Sequence, residues 1–106
     1  MTKYAIPLDD PHATLEIAGG KGASLAMLAN SGLPVPDGFH VTTAAYREFV
    51  TTAGLQTKIL TALDVVDVSH SETLEAAART IRDIFAQGEM SSEIAGALVQ
   101  AYTSLP

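Results

Sequence analysis

The chain has 106 residues, of which 47% are hydrophobic and 6% aromatic, and it contains no cysteine. This length suffices for one domain, expected over residues 1–106, with an aliphatic, alanine-rich core that suits helices. The net charge of −6 argues against nucleic-acid binding, because phosphates would repel the chain. The lack of cysteine excludes disulfides and thiolate metal sites. No apolar run is long enough for a signal peptide or a membrane span, so a cytoplasmic protein is expected.

The N-terminal part is predicted to contain two short strands and one helix. Residues 4–8 predict a strand that Pro7 confines to an edge or a strand end. After a turn and a run of glycines, residues 23–30 predict a helix, which Gly32 would end in a left-handed conformation. An extended segment with two prolines follows, and residues 38–43 predict the second strand.

The rest of the chain is predicted to be helical. A cap at Thr42 or Thr43 opens one helix, and a break at Gly54 separates it from the next. Ser69 and Glu72 have the spacing of a capping box, which would open a third helix that Gly88 ends. A cap at Ser91 or Ser92 would open the last helix. The prediction is an α+β, mostly helical fold with two short strands and four to five helices.

Two strands this short cannot form a self-sufficient sheet. They are expected either to pair with each other against the helices or to belong to a sheet whose other strands are absent.

The segment IAGGKGASLAML, residues 17–28, is the clearest candidate for a functional site. Glycines allow backbone N–H groups to approach an anion closely, and the start of a helix adds a positive dipole end. Lys21 would supply a full positive charge. The alternative is a plain junction between a loop and a helix. The Walker A loop and the dinucleotide fingerprint do not match, because they need small residues where Leu15 and Leu25 stand.

Other residues that could act in catalysis, metal binding or anion binding have weaker support as site residues. The three histidines lack ligand spacing, and the one in the second strand is expected to be packed or at the surface. The adjacent aspartates predict a solvated turn, and the serine after the glycines has no base beside it. Helical arginines could reach an anion, although exposed helix faces carry arginine routinely. These residues are His12, His40, His70, Asp9, Asp10, Ser24, Arg47, Arg79 and Arg82.

The longer string GGKGASLAMLANSGLPVPDGFHVTTAAYREFV is more specific than its glycines alone. It resembles the N-terminal segment of the pyruvate phosphate dikinase and phosphoenolpyruvate synthase family, which includes the rifampicin phosphotransferases. That family has a GGK-G/N-A-S/N-L stretch, a Gly-x-x-VP-x-GF element and a threonine-capped helix with an aromatic residue and Phe. Here these motifs occupy residues 19–25, 32–39 and 42–49. The resemblance covers essentially the whole chain, with phosphoenolpyruvate synthase as the nearest branch.

The resemblance implies the beginning of an ATP-grasp-like nucleotide-binding domain, in which Lys21, with Gly20 and Gly22, contacts the ATP phosphates. It implies that ATP, with Mg²⁺, transfers its β-phosphoryl group to a histidine on a separate swivelling domain. Pyruvate or another acceptor then receives the group. In the synthases ATP, pyruvate and water give AMP, phosphoenolpyruvate and phosphate. The implied partners are the remainder of the ATP-binding domain and the phosphohistidine domain.

Several family features are not in this sequence. The Arg-Ser-Ser stretch, the Mg²⁺-binding carboxylates and the phosphohistidine are missing, so the 106-residue chain is expected to be inactive alone. It would correspond to about the first half of an ATP-binding domain. A rifampicin phosphotransferase remains the alternative parent. A different hypothesis is a helical interaction module that docks the missing half-domain or a second copy of itself. In a third hypothesis the chain is a folded domain whose glycines only allow the backbone to form a turn.

Overall fold

The computed structural model describes residues 2–106, and most of the described residues are helical. Its elements are β1 (Ala5–Pro7), α1 (Leu15–Asn30), β2 (Phe39–Val41), α2 (Thr43–Thr52), α3 (Gln56–Leu63), α4 (Ser71–Gln87) and α5 (Ser92–Thr103). The α+β, mostly helical class predicted from the sequence is therefore confirmed. The two strands pair with each other in an antiparallel sheet, with Ala5 opposite Val41 and Pro7 opposite Phe39.

Both strands are shorter than predicted because residues at their ends serve other purposes. Pro7 has no N–H to donate, and β1 ends there. Thr42 leaves the sheet to cap α2, since its Oγ1 accepts a hydrogen bond from the Ala45 N–H at 3.3 Å and donates one to the Lys3 carbonyl. Of the two threonines proposed as the cap, Thr42 is the one that does so.

Gly32 ends α1 in the left-handed conformation that the sequence predicted, with φ of 82°. The Gly32 N–H bonds the Ala29 carbonyl at 3.2 Å, and the Leu33 N–H bonds the Leu28 carbonyl at 3.2 Å. These two bonds make a Schellman motif, which satisfies carbonyls that the helix end leaves free. Gly54 follows α2 in the same way.

The chain divides into two compact units, of which the first comprises described residues 2–48 and 91–106. In this unit α5 contacts both strands, and α1 contacts β2. Small side chains, mainly alanine, form most of its core. The buried apolar residues of this unit are Tyr4, Ala5, Ala13, Ala26, Ala45, Ile94, Ala97 and Ala101.

The second unit is Phe49–Met90, in which α3 packs on α4. Val50, Leu55 and Ala77 are buried there. The Phe49 and Phe85 rings stack with centroids 5.7 Å apart and an angle of 26° between their planes. The prediction of one domain over residues 1–106 stays a prediction.

Two local predictions are wrong. The helix expected over residues 23–30 begins earlier, at Leu15, and the glycines lie within α1 rather than before it. The capping box is not formed either, because α4 has His70 at its N-cap position without a side-chain cap bond. The Ser69 hydroxyl instead donates to Asp67 Oδ1 at 2.7 Å.

Candidate functional site

Gly19 interrupts α1 and divides it into two helical segments. Its φ of 76° and ψ of 174° lie in a region that is essentially restricted to glycine. Residues 15–18 form one turn before the break, where the Ala18 N–H bonds the Thr14 carbonyl at 2.8 Å. Residues 20–30 form the longer segment after it. The glycine-rich stretch is therefore a break inside a helix rather than a loop.

Gly20, Lys21 and Gly22 occupy the first turn of the segment that follows this break. The first N–H groups of a helical segment have no carbonyl partner within that segment, and they stand at the positive end of its dipole. The Lys21 side chain is exposed. The structure thus brings the three predicted site residues together in one turn.

Gly22 also has a packing role, which the sequence prediction did not include. A Cβ atom at this position would lie 2.9 Å from Ala18 Cβ and 3.1 Å from His40 Nδ1, so only glycine fits without a shift. At Gly20 the same atom would meet only Leu15 Cδ1, at 3.7 Å, which is an ordinary contact. A side chain at Gly22 would therefore have to displace Ala18 or the His40 ring, whatever binds beside it.

His40 lies under α1 in the middle of β2, opposite Ile6 of β1. The sequence left open whether His40 is packed or at the surface. It is packed, since only 6% of the residue is exposed. His40 Nε2 lies 2.9 Å from the Leu8 carbonyl oxygen. Because a carbonyl can only accept, Nε2 carries the proton in this contact and Nδ1 is the nitrogen that faces Gly22.

A surface cleft of about 490 Å³ lies elsewhere in the first unit. Its charged lining combines Lys3 and Arg47 with the carboxylates of Asp10 and Glu16, and Lys21 is not among its lining residues. The opposite charges offset one another, so the cleft has no strong electrostatic preference for an anion. Of residues 17–28, only Ile17 lines this cleft, which therefore does not include Gly20, Lys21 or Gly22.

Asp10 organises the turn that follows β1. The His12 backbone N–H donates to Asp10 Oδ1 at 2.7 Å, and His12 Nδ1 lies 3.1 Å from the same oxygen. The backbone hydrogen bond from His12 holds the pKa of Asp10 below its ordinary value of 3.8. Asp9 is exposed. The predicted turn is present, and Asp10 takes part in its hydrogen bonding.

Asp67, Ser69 and His70 form a cluster that has the composition of a catalytic triad. Ser69 Oγ lies 3.1 Å from His70 Nδ1, and Asp67 Oδ2 lies 3.0 Å from the same nitrogen. A triad needs the serine and the carboxylate on opposite ring nitrogens, so that the ring can pass a proton between them. This exposed cluster instead shapes the turn before α4.

No group of three histidine, aspartate or glutamate side chains within residues 2–106 is placed to hold a metal ion. The same part of the chain contains no helix with the length and apolar character needed to cross a membrane.

Residues 15–106 match the family model described as "Pyruvate phosphate dikinase, AMP/ATP-binding domain". The chain belongs to this family. The match includes the glycine segment, the prolines and β2, so the resemblance seen in residues 19–49 is confirmed.

Several relatives of the chain within this family are phosphoenolpyruvate synthases or probable ones. It is 43% identical over 104 residues to a probable phosphoenolpyruvate synthase of Methanocaldococcus jannaschii, which covers 97% of the chain and 9% of the relative. A probable synthase of Methanothermobacter thermautotrophicus is 39% identical over 89 residues, covering 84% of the chain and 13% of the relative. The Pseudomonas aeruginosa phosphoenolpyruvate synthase is 34% identical over 110 residues, covering 99% and 14% respectively.

The chain thus spans between 9% and 14% of the length of these three relatives. In this family segment, sequence reasoning selected Lys21, Gly20 and Gly22 but missed the contact between Gly22 and His40. The alternation of side chains along β2 could have indicated that His40 is buried, because it places His40 and its exposed neighbour Val41 on opposite faces of the strand.

Proposed function

We propose that the chain is the N-terminal ATP-binding portion of a phosphoenolpyruvate synthase-like enzyme. In this proposal the Lys21 ammonium group and the backbone N–H groups of Gly20 and Gly22 hold the ATP phosphates. The observation that carries it is the break at Gly19, after which these residues form the first turn of a helical segment with an exposed lysine.

The charge distribution supports phosphate binding at this turn. Between Glu16 and Asp37, Lys21 is the only charged side chain, although the whole chain carries a net charge of −6. A local cation at a helix start can attract an anion despite an acidic overall balance. Phosphoryl transfer depends mainly on positioning and charge neutralisation. In this turn the backbone N–H groups would position the phosphates and the Lys21 ammonium group would neutralise their charge.

The parent reaction would convert ATP, pyruvate and water to AMP, phosphoenolpyruvate and phosphate through a phosphohistidine. The match to an AMP/ATP-binding domain and the greater length of the relatives support ATP as ligand and further domains as partners. Mg²⁺ would neutralise phosphate charge when it is bound with ATP. Residues 2–106 offer no group of three metal-binding side chains, so we assign no residue to that ion.

The test is a titration of ATP–Mg²⁺ up to millimolar concentrations, followed by amide chemical shifts. We expect shifts at residues 19–24 in the wild type that vanish in Lys21→Ala, because the ammonium charge is lost. Lys58→Ala is the matched control, since Lys58 is also exposed and lies on α3. If the wild type shows no shifts in this segment, or if Lys21→Ala keeps them, the proposed site is wrong.

A second candidate, a helical interaction module, is favoured by the apolar side chains at the described surface. Val68 is 92% exposed, Tyr102 71% and Val65 70%. Such side chains are candidates for contact with the remainder of a longer protein or with a second copy of this chain. Gel filtration separates the two candidates, because a clean monomer that binds no partner domain would count against the interaction module.

A further inference from the structure

We propose that His40 is a positioning residue for the phosphate-binding turn: its ring, anchored to Leu8, sets where Gly22 and therefore Lys21 stand relative to the sheet. The inference deepens the proposed function and rests on it for the role of Lys21. It assigns to His40 no contact with the nucleotide.

The His40 ring is held in one place by backbone and hydrogen-bond contacts. The strand register places His40 opposite Ile6, and its neighbour Val41 is 53% exposed, so the two side chains point to opposite faces of the sheet. The Nε2–H donates to the Leu8 carbonyl at 2.9 Å. A buried ring with one nitrogen bonded to the backbone has little freedom to rotate.

The Nδ1–Cε1 edge of the ring faces the phosphate-binding turn. A Cβ atom added to Gly22 would lie 3.1 Å from His40 Nδ1 and 3.4 Å from its Cε1, so the ring fills the space that a side chain would occupy there. Gly22 directly follows Lys21 in the same helical turn. A shift of the ring edge would therefore move the backbone that carries the lysine.

The break at Gly19 makes such a contact necessary. A continuous helix would orient residues 20–22 through its own hydrogen bonds, but the non-helical conformation of Gly19 interrupts that path. The direction of the second segment then depends on tertiary contacts near its start. Nearest to the Cβ position of Gly22 are the Ala18 methyl group, on the other side of the break, and the His40 ring of β2.

The two edges of the ring can be separated by substitution. In His40→Gln the side chain follows the path from Cβ through Cγ and Cδ to Nε2, so it can still donate to the Leu8 carbonyl. It lacks the Nδ1 and Cε1 atoms that face Gly22. His40→Gln therefore removes the contact with the turn while it retains the anchor.

The experiment measures two properties of full-chain His40→Gln: the resonances of Gly20, Lys21 and Gly22 in the free protein, and the affinity for ATP–Mg²⁺ from amide shifts. We expect shifted resonances at these residues and an affinity weaker by about tenfold, the effect of one misplaced charged contact. Ile94→Val is the control for general destabilisation, because Ile94 is buried in α5, outside the turn and β2. It should leave both readouts unchanged.

Gly22→Ala is the second variant, for use if His40→Gln does not fold. Its new methyl group presses on the same ring edge and on Ala18 from the helix side, so it should move the Lys21 resonance and weaken binding.

The inference is overturned if the folded variant binds ATP–Mg²⁺ like the wild type, or if Ile94→Val weakens binding equally. A wild type without ligand-induced shifts rejects the proposed function instead. In that case the ligand-free variant still tests the positioning role. If its resonances at Gly20, Lys21 and Gly22 are the same as in the wild type, the positioning role is overturned as well.

Discussion

Gly19 and Gly20 are neighbours with different backbone requirements. Gly19 has a positive φ, in a region where a side chain is strained, whereas Gly20 has helical geometry and space for a methyl group. We expect Gly19→Ala to lower the free energy of unfolding by about 1–3 kcal/mol. Gly20→Ala should be neutral or raise it by up to about 1 kcal/mol, because it reduces the entropy of the unfolded chain.

Urea denaturation of the two alanine variants measures this difference. Both substitutions add the same methyl group one residue apart, so Gly20→Ala controls for the added volume. Equal stabilities would show that the break at Gly19 does not restrict the residue at that position.

Asp67 gives the turn before α4 a pH-dependent contribution to stability. The hydroxyl and the backbone N–H of Ser69, together with His70, hold the pKa of Asp67 below its ordinary value of 3.8. Because the folded-state pKa is the lower one, the contribution is complete above the unfolded-state pKa and is lost as pH falls through the folded-state pKa.

We therefore expect wild-type helicity to fall more steeply than that of Asp67→Asn between about pH 5 and about pH 2. Circular dichroism across this range measures it. Asp64→Asn serves as the control, because it removes an exposed carboxylate at the end of α3. A wild type and Asp67→Asn with parallel pH profiles would contradict the role given to Asp67.

At the scale of elements, α5 begins with a side-chain cap that the sequence narrowed to two serines. Ser91 Oγ accepts a hydrogen bond from the Ile94 N–H at 3.3 Å, and Ser92 is the first helical residue. We expect Ser91→Ala to lower the free energy of unfolding by about 1 kcal/mol. Ser92→Ala should stay within about 0.5 kcal/mol of the wild type.

Thermal or urea unfolding of the two serine variants compares the same substitution at adjacent positions. A larger effect at Ser92 than at Ser91 would mean that α5 starts one residue later than described.

The outcomes for α1 and α4 show where sequence patterns fail at this scale. The capping-box spacing of Ser69 and Glu72 was present, but α4 begins at Ser71 with His70 at its N-cap position, and the Ser69 hydroxyl donates to Asp67 in the turn before it. Short polar side chains compete for such local bonds, and spacing alone does not decide the competition. In α1 the sequence predicted that the glycines precede the helix, whereas only Gly19 is non-helical and it separates two helical segments.

At the scale of the whole molecule, we expect no dikinase activity from the isolated 106-residue chain. The chain spans only 9–14% of the length of three synthase relatives, so most of the length of those enzymes has no counterpart in it. Incubation with ATP, Mg²⁺ and pyruvate should therefore produce AMP at the same background rate in the wild type and in Lys21→Ala. AMP formation above the Lys21→Ala background would contradict this expectation.

The sequence by itself determined the types of the elements, the ends of most helices and the family. These features depend on periodicity, capping residues and glycines within a few positions of each other, so a linear pattern records them. Only the tertiary structure decided that Gly19 alone breaks α1 and that a side chain at Gly22 would meet the His40 ring as well as Ala18. That contact joins a helix to a strand distant along the chain, and it exists only once β2 has paired with β1 and α1 has packed on β2.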